Sequence, residues 1–519
     1  MSTVSVSPAI SRQHDRVAGQ RIGFRSHVLR SGLDALVTRR ATRTWWIASA
    51  IIVALGLILH VSAWLGIPTI ATADTNAYCE LMHTIEAGQL PDLRDRNIGY
   101  PLFMYACKLL PISLNRALPL VQHLLEVSAA VVLMVWMRQR WGVLAGLMTG
   151  VLLLVNSGRV IWTHYGHPNA LLCSLVPLAV LALMGYMVTR RRWYLFTAGV
   201  LWLVVLVNRD EVLLLAGVIP ATALCFCRPW RWRVIKWYAV VAVIVLVGGG
   251  ARQWINVRST DQLSYSTHAI NIIAWRGVHA RELVAPPRPE KLERLYAAAL
   301  ANGARWRDGY LHYEDLWRAG RDQWGMTQRE AIDYMAGCAL ECIQRRPGTY
   351  ARVVLRDSLR LWLKPQTSLE WYAFSKSRPD SFARDASRIP WATHNQAEFP
   401  VSYQASSAQG LFHSLAILRP DETFAMKPLA LCFVVGSVCL LSGIGCRRLK
   451  IRRWWFVGLA ISVVFMTLFY AAVVDVPQRF RMSVEWAFFA IASLGLVLPL
   501  RAIYHRSLAQ GDSTCGARR

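Results

Sequence analysis

Long apolar runs, separated by short polar and basic segments, dominate this 519-residue chain. Most of these runs approach the roughly 20 consecutive apolar residues that a helix needs to cross a bilayer. The pattern therefore predicts an α-helical polytopic membrane protein with about ten transmembrane helices. The runs lie at 45–67, 117–137, 141–156, 168–188, 193–208, 210–227, 237–251, 425–445, 454–474 and 482–500.

Two segments near the start of the chain need a separate interpretation. The run 98–112 is shorter and bounded by prolines, which favours a re-entrant or interfacial segment over a span. The run 45–67 has no small-residue cleavage site near its end, so we expect an uncleaved first span and not a signal peptide.

Basic residues are distributed unevenly between the runs and predict the orientation. Lys and Arg concentrate on the cytoplasmic side of membrane proteins. Placing the N-terminal tail 1–44 inside puts every dense basic cluster on that same side. These clusters are "RQR" at 138–140, "TRRR" at 189–192, "CRPWRWRVIK" at 227–236, "CRRLKIRR" at 446–453 and the tail 501–519.

The opposite side then receives the first loop 68–116 and a long segment, 252–424, which we interpret as a mainly helical extracytoplasmic domain. The predicted division is thus a transmembrane region 45–251, this domain, and a second transmembrane region 425–500. Within the domain, helices are expected at 289–303 and 327–346. A further amphipathic helix from Pro347 is expected either to lie on the membrane surface or to pack inside the domain.

Composition excludes several classes of protein. Only 17% of the residues are charged, against about 25% in soluble domains. The net charge of +27 lies in the short loops and not on one binding face, so nucleic acid is not an expected partner. The eleven cysteines form no C-x-x-C pair and no zinc spacing. The Gly-rich motifs that cradle phosphates are also missing.

The stretch "ATADTNAY" at 71–78 places Asp74 just beyond the first span, on the predicted outer side. An enzyme there has no access to cytoplasmic nucleotides, so an activated substrate must arrive on a lipid phosphate. Such a transfer needs a carboxylate base, positive charge at the leaving phosphate and a cavity open to lipid. Asp74 is the candidate base, and the alternative is that it only caps the helix 75–87.

Cationic or hydrogen-bond-donating side chains at the outer ends of other spans are candidates for binding the phosphate. Each also has a simpler explanation: an ion pair with Asp210 or Glu211, an anchor to lipid headgroups, or a polar loop position. The candidates are Arg209, Arg479, Arg481, His164 and His167.

Four segments, in this order, resemble the GT-C membrane glycosyltransferases, in the branch of protein O-mannosyltransferases and the lipid A aminoarabinose transferase. The first loop has Asp74, then Tyr78, then a Tyr-Pro-Leu segment that contains Tyr100. "VNRDEVLLL" is similar to the family's Arg-x-Glu step into a span. "ALECIQRRPGTYARVVLRDSLRLW" resembles its helix–Pro–helix segment, and "VPQRFRMSVEWAFFAIASLGL" its entry to the last span.

The resemblance implies a GT-C fold with the active site on the outer face. It implies that Asp74 acts as the general base or helps to bind a metal, and that Arg209, together with Arg479 or Arg481, contacts the donor phosphate. Substrate contacts are expected at Tyr78, Tyr100, Asn169 and Glu211.

Three positions depart from the family's pattern. Many relatives carry a second acidic residue where this chain has Asn169, which argues against a metal held by two carboxylates. Thr75 follows Asp74 where some relatives have Glu. The last motif lacks its usual proline. No cofactor is required by any motif, and a divalent metal at Asp74 is left open.

The leading hypothesis is therefore a glycosyltransferase of the bacterial inner membrane with both termini in the cytoplasm. It would transfer a sugar, with inversion, from a polyprenyl-phosphate donor to a hydroxyl of an extracytoplasmic lipid, glycan or protein. Two alternatives are a transporter or lipid-carrier flippase, for which Glu126 is the main intramembrane charge, and a non-catalytic assembly protein.

Overall fold

The structure is a computed structural model that describes residues 42–67, 69–70, 73–93, 96–226, 231–260, 282–306, 311, 313–363, 423–444, 453–473 and 478–516. Within these ranges the chain is helical, and the one β-type contact is an isolated parallel bridge between Ile70 and Tyr165. The predicted α-helical polytopic architecture is confirmed.

Helices of the N-terminal half cover each apolar run predicted there. They are α1 (Thr42–Gly66), α2 (Ala73–Glu86), α3 (Gly99–Lys108), α4 (Leu114–Trp141), α5 (Val143–Leu154), α6 (Ser157–Trp162), α7 (Pro168–Thr189), α8 (Arg192–Asn208), α9 (Leu214–Phe226) and α10 (Arg231–Thr260). A short 3₁₀ turn, Asp210–Leu213, joins α8 to α9.

The C-terminal half contains four helices of the long polar segment and three apolar helices. They are α11 (Glu290–Ala301), α12 (Tyr313–Trp324), α13 (Gln328–Arg345), α14 (Pro347–Leu363), α15 (Thr423–Ser442), α16 (Arg453–Val473) and α17 (Gln478–Gly516). The helices predicted at 289–303 and 327–346 correspond to α11 and α13.

Length and composition identify six described helices that can cross a membrane: α1, α4, α7, α10, α16 and α17. Three further apolar helices, α5, α8 and Lys427–Ser442 within α15, each have fewer than 18 residues and are too short to be counted with them. The chain is thus a multi-pass membrane protein, and the number of ten spans stays a prediction. Helix α3 has 10 residues, too few to cross a bilayer.

Helix α7 forms the centre of the bundle, whereas α10 lies at its edge. In the most apolar window of each helix, 83% of the α7 residues and 17% of the α10 residues are buried. Helix α7 packs against α4, α8 and α17. A helix that is apolar on every side is typical of such a central position.

Small residues allow close approach between α15 and α17. A Cβ at Gly436 would contact the Ile491 carbonyl, and a Cβ at Gly495 would contact the Cys432 carbonyl. Since lipid offers no hydrophobic drive for helix association, such close backbone packing is a main source of affinity between transmembrane helices.

Helices α11, α12 and α13 pack around a small apolar core of their own, and α14 links this unit to the bundle. One face of α14 packs on α16, where Trp362 Nε1 donates to Thr467 Oγ1 at 2.8 Å. Its other face leaves Leu355 and Leu359 exposed. The helix thus packs on both the small core and the bundle, and a position of its exposed face on the membrane surface stays a prediction.

Candidate active site

Asp74 lies in the first turn of α2, where unpaired backbone N–H groups and the helix dipole favour a carboxylate. Its side chain also contacts two residues outside α2. Arg96 Nη2 lies 2.6 Å from Oδ1, and His167 Nε2 lies 3.3 Å from Oδ2. With 21% of its side chain exposed, Asp74 is accessible to a ligand. Its contacts therefore extend beyond those of a helix cap.

His167 is the N-cap of α7 and orients Asp74. Its Nδ1 accepts a hydrogen bond from the Asn169 backbone N–H at 3.1 Å. An accepting Nδ1 carries no proton, so this pattern assigns the imidazole proton to Nε2, the atom that faces Asp74. His167 can thus donate from Nε2 to the carboxylate, and its contact with a donor phosphate stays a prediction.

Arg209 follows α8 and lies beside the same end of α7. Its Nη1 donates to Asn169 Oδ1, and its Nε lies 2.5 Å from Glu211 Oε1. The residue is buried, at 8% exposure. Burial lowers the pKa of Arg209, but the Glu211 and Asp74 carboxylates, together with Tyr470 and Tyr78, outweigh burial and raise the pKa above its ordinary value. The guanidinium therefore stays charged next to Asn169.

The structure thus brings together six side chains, which we call the Asp74 cluster. They come from α2, the 96–98 turn, the start of α7 and the 3₁₀ turn after α8. They are Asp74, Arg96, His167, Asn169, Arg209 and Glu211.

Tyr78 forms one wall of this cluster. It packs edge-to-face against His167, with ring centroids 6.1 Å apart, and the Arg96 guanidinium lies 5.9 Å from its ring centre. Tyr100 lies deeper. It is fully buried, and its hydroxyl donates to Gln122 Oε1 and the Tyr165 carbonyl, both at 3.3 Å. Both rings are buried and pack edge-to-face with centroids 5.3 Å apart, and their contacts with a substrate stay predictions.

His164 faces the interior of the bundle and not Asp74. It is fully buried, and its Nε2 lies 2.9 Å from Nε2 of His123, whose Nδ1 lies 2.7 Å from Nδ1 of His60. The structure therefore separates His164 from His167, which the sequence analysis grouped. The side chains of Arg479 and Arg481 lie outside the described residues.

The segment 163–166, which leads into His167, is held at every backbone carbonyl. Hydrogen bonds from side chains and backbone of four other elements reach these four oxygens. The donors are Gln122 Nε2 to Thr163 O at 2.7 Å and to Tyr165 O at 3.3 Å, the Tyr100 hydroxyl to Tyr165 O at 3.3 Å, Ile70 N to His164 O at 2.7 Å, and Thr75 Oγ1 to Gly166 O at 2.8 Å. The position of His167 is therefore fixed by the fold.

Gly166 is required at its position by the packing of α2. A Cβ there would lie 2.5 Å from Thr75 Cγ2, closer than real Cβ contacts. The absence of a side chain at Gly166 thus lets Thr75, the neighbour of Asp74, sit directly against the segment that carries His167.

Arg96 is the residue of the cluster that the sequence analysis did not single out. It follows Leu93, whose N–H donates to Asn256 Oδ1 and whose carbonyl accepts from Arg252, both on α10. The available signal was weak, because "DLRDRN" contains two arginines and nothing in their spacing marks which one meets Asp74.

A second ionic cluster, the buried triad, lies inside the bundle. Arg159 Nη2 lies 2.5 Å from Glu126 Oε1, and its Nη1 lies 3.1 Å from Glu485 Oε2. All three side chains are at most 2% exposed. The other Glu126 oxygen accepts a hydrogen bond from Ser174 at 3.0 Å. Glu126, the main intramembrane charge of the transporter hypothesis, is therefore engaged in helix packing.

Few side chains near Asp74 suit a metal ion. Asp74 and His167 are neighbours, but Nε2 of His167 carries the proton between them. Among the residues that the structure describes, no three His, Cys, Asp or Glu side chains converge on a point that could hold a metal ion. The described residues do not fit the divalent metal that the sequence left open at Asp74.

The fold and this cluster together define a polytopic helical membrane protein with a polar, partly exposed ionic site at one end of its bundle. No protein-family model matches the chain, and no curated protein matches it. Solved structures of ArnT from Cupriavidus metallidurans are similar to it, and ArnT belongs to the group that its motifs resemble.

The structure of ArnT bound to undecaprenyl phosphate has 13% identity and a TM-score of 0.35, with 88% of this chain and 78% of that chain covered. The apo structure has 16% identity and the same TM-score, with 88% and 77% covered.

Proposed function

We propose that the protein is a GT-C-type membrane glycosyltransferase that moves a sugar from a polyprenyl-phosphate donor to a hydroxyl group of an extracytoplasmic acceptor. One observation carries this proposal: a partly exposed carboxylate, Asp74, lies within one cluster with the guanidinium groups of Arg96 and Arg209. This arrangement supplies a base and cations side by side, as the transfer requires.

In the proposed reaction, the acceptor hydroxyl approaches Asp74 from its exposed side. Asp74 takes the hydroxyl proton while the oxygen attacks the anomeric carbon, with inversion. The bond from that carbon to the phosphate oxygen breaks, and the electron pair stays on the polyprenyl phosphate. Arg209 and Arg96 stabilise the negative charge that develops there.

The Asp74–Arg96 ion pair also lets donor binding increase the basicity of Asp74. A guanidinium has five N–H donors, so Arg96 can engage a phosphate and a carboxylate together or turn from one to the other. When the donor phosphate draws Arg96 towards itself, Asp74 loses part of its positive neighbour and becomes a better proton acceptor. His167 keeps the carboxylate oriented meanwhile.

The proposed location is the inner membrane of a bacterium, with the termini in the cytoplasm and the Asp74 cluster on the opposite face. The argument is the positive-inside distribution of Lys and Arg. The bilayer then delivers the donor, and the acceptor comes from the extracytoplasmic side.

The test is sugar transfer by purified protein in nanodiscs. Radiolabelled polyprenyl-phosphate sugars serve as donors, beginning with undecaprenyl carriers, and a membrane extract supplies acceptors. Asp74→Asn keeps the shape of the side chain and removes the base, so we expect a loss of about 10²–10⁴-fold. Glu80→Gln, an exposed position of the same helix, is the matched control and should retain activity.

Three outcomes are informative. Label transferred by wild type and by Glu80→Gln, but not by Asp74→Asn, would support the reaction and the base. Equal transfer by wild type and Asp74→Asn would overturn the role of Asp74. If no donor in a panel of hexoses and pentoses yields label, while the protein binds none of the labelled lipids, the glycosyltransferase proposal fails.

A further inference from the structure

A depression of about 570 Å³ lies at the end of the bundle opposite the Asp74 cluster. It is formed where α4 ends, where α5 begins and where α17 leaves the bundle. Gly142, with φ of +96°, makes the tight turn between α4 and α5 that opens this space. None of its described lining residues belongs to the Asp74 cluster or to the buried triad.

Positive charge surrounds this depression. Arg138, Arg140 and Arg501 line it, and none of its described lining residues is acidic. Arg138 is held in place, because its guanidinium lies 4.6 Å from the ring centre of Trp45 and 5.7 Å from that of Trp46.

Apart from Gln139, the rest of the lining carries no polar side-chain oxygen or amide group and includes exposed aliphatic side chains. Leu144 is 46% exposed and Leu500 is 57% exposed, and both line the depression beside Val143 and Val497. The site therefore combines cationic groups with exposed aliphatic side chains at the level of a membrane surface. An anion that carries acyl chains matches both parts, whereas a free anion uses only the arginines.

Another basic loop at the same end of the bundle shows that this arrangement is not simply the positive-inside distribution. Arg191 and Arg192, between α7 and α8, are exposed. Arg138, Arg140 and Arg501, in contrast, are half-buried around a common space. Three guanidinium groups that face one space make it attractive to an anion.

We propose that this depression binds the phosphate headgroup of an anionic phospholipid from the leaflet at that end of the bundle. Arg140 and Arg501 contact the phosphate, Arg138 supplies further positive charge from its position over the tryptophans, and the acyl chains lie along Leu144 and Leu500. The site is separate from the proposed transfer reaction and does not rest on it.

The test measures lipid binding to the full-length, delipidated protein in detergent by native mass spectrometry. Phosphatidylglycerol and phosphatidylcholine are titrated in parallel. The variant Arg140→Gln/Arg501→Gln is compared with Arg191→Gln/Arg192→Gln, which removes the same charge at the same end. A thermal unfolding midpoint close to that of wild type shows that each variant is folded.

We expect preferential retention of phosphatidylglycerol by wild type and by the Arg191/Arg192 control. In Arg140→Gln/Arg501→Gln its affinity should fall roughly 10- to 30-fold, because each arginine contributes about 1 kcal/mol of attraction to anionic lipid. If this variant does not fold, Leu144→Asp is used, which places a negative charge at the apolar rim and should weaken the same lipid.

Three results would overturn the proposal: equal weakening in both arginine variants, equal affinity for the two lipids, or displacement of phosphatidylglycerol by millimolar inorganic phosphate. The last result would assign the arginines to a free anion.

Discussion

The Asp74 cluster and the buried triad both consist of carboxylates paired with arginines, but they differ in how far their ion pairs are exposed to solvent. In the cluster, the side chains of Asp74 and Arg96 are 21% and 25% exposed. In the triad, Glu126, Arg159 and Glu485 are at most 2% exposed. Ion pairs near solvent exchange partners readily, whereas a buried pair is held by the cost of leaving either charge alone.

This difference assigns a structural role to the triad and fits the role proposed for the Asp74 cluster. The triad ties α4, α6 and α17 together, and α6 leads directly into the 163–166 segment that positions His167. The Asp74 cluster then presents its charges at the end of this fixed segment. The buried ion pairs of the triad hold the helices together, whereas the partly exposed ion pair of the Asp74 cluster is accessible to a ligand.

The largest effect is expected from breaking the triad. Arg159→Met leaves two carboxylates buried without a cation, so the folded state should lose about 3–5 kcal/mol. The measurement is the thermal unfolding midpoint and folded yield in detergent, with Arg191→Met as an exposed control. The triple change Glu126→Gln, Arg159→Met and Glu485→Gln removes all three charges and should recover much of the loss. An unchanged midpoint in Arg159→Met would refute the structural role.

A large effect on transfer, with little on folding, is expected from the buried cation of the Asp74 cluster. Arg209→Gln combined with Glu211→Gln removes the pair together and leaves no lone buried charge. Loss of one electrostatic donor typically lowers kcat by about 10²–10³-fold. We expect a loss of that size in steady-state kinetics. Arg294→Gln on α11 is the control, and a kcat within twofold of wild type in the double variant would contradict the role of Arg209.

A smaller effect is expected when His167 loses only its contact with Asp74. Asparagine is also a good N-cap, so His167→Asn should keep the stability of α7. It is too short to reach the Asp74 carboxylate, so we expect kcat to fall roughly tenfold. One hydrogen bond to a charged group is worth about 1.5–3 kcal/mol at most. His167→Ala loses the cap as well and should cost about 1 kcal/mol of stability. Equal unfolding midpoints for the two variants, or a wild-type kcat for His167→Asn, would argue against this division of roles.

The smallest effect is expected from Thr75→Val. This change removes the hydroxyl that donates to the Gly166 carbonyl and retains a similar shape. One neutral hydrogen bond is worth about 1 kcal/mol, so we expect a small drop in the unfolding midpoint and a loss of a few-fold in kcat. Full activity combined with a lowered midpoint would show that the 163–166 segment does not need this bond to position His167.

The sequence by itself determined the helices and their order. The apolar runs at 117–137 and 168–188 became α4 and α7, and the segments 289–303 and 327–346 became α11 and α13. These elements depend on local information: apolar length, caps and breakers. Asp74 could be singled out as a candidate base in the same way, because it lies just beyond the first apolar run.

The tertiary structure decided which charges meet. Arg96 reaches Asp74 across 22 positions, and Arg159 reaches Glu485 across 326. His164 and His167 are three residues apart, yet one faces the bundle interior and the other faces Asp74. Such pairings follow from how whole helices pack, and in a membrane that packing depends on shape and on long-range polar contacts that no local pattern encodes.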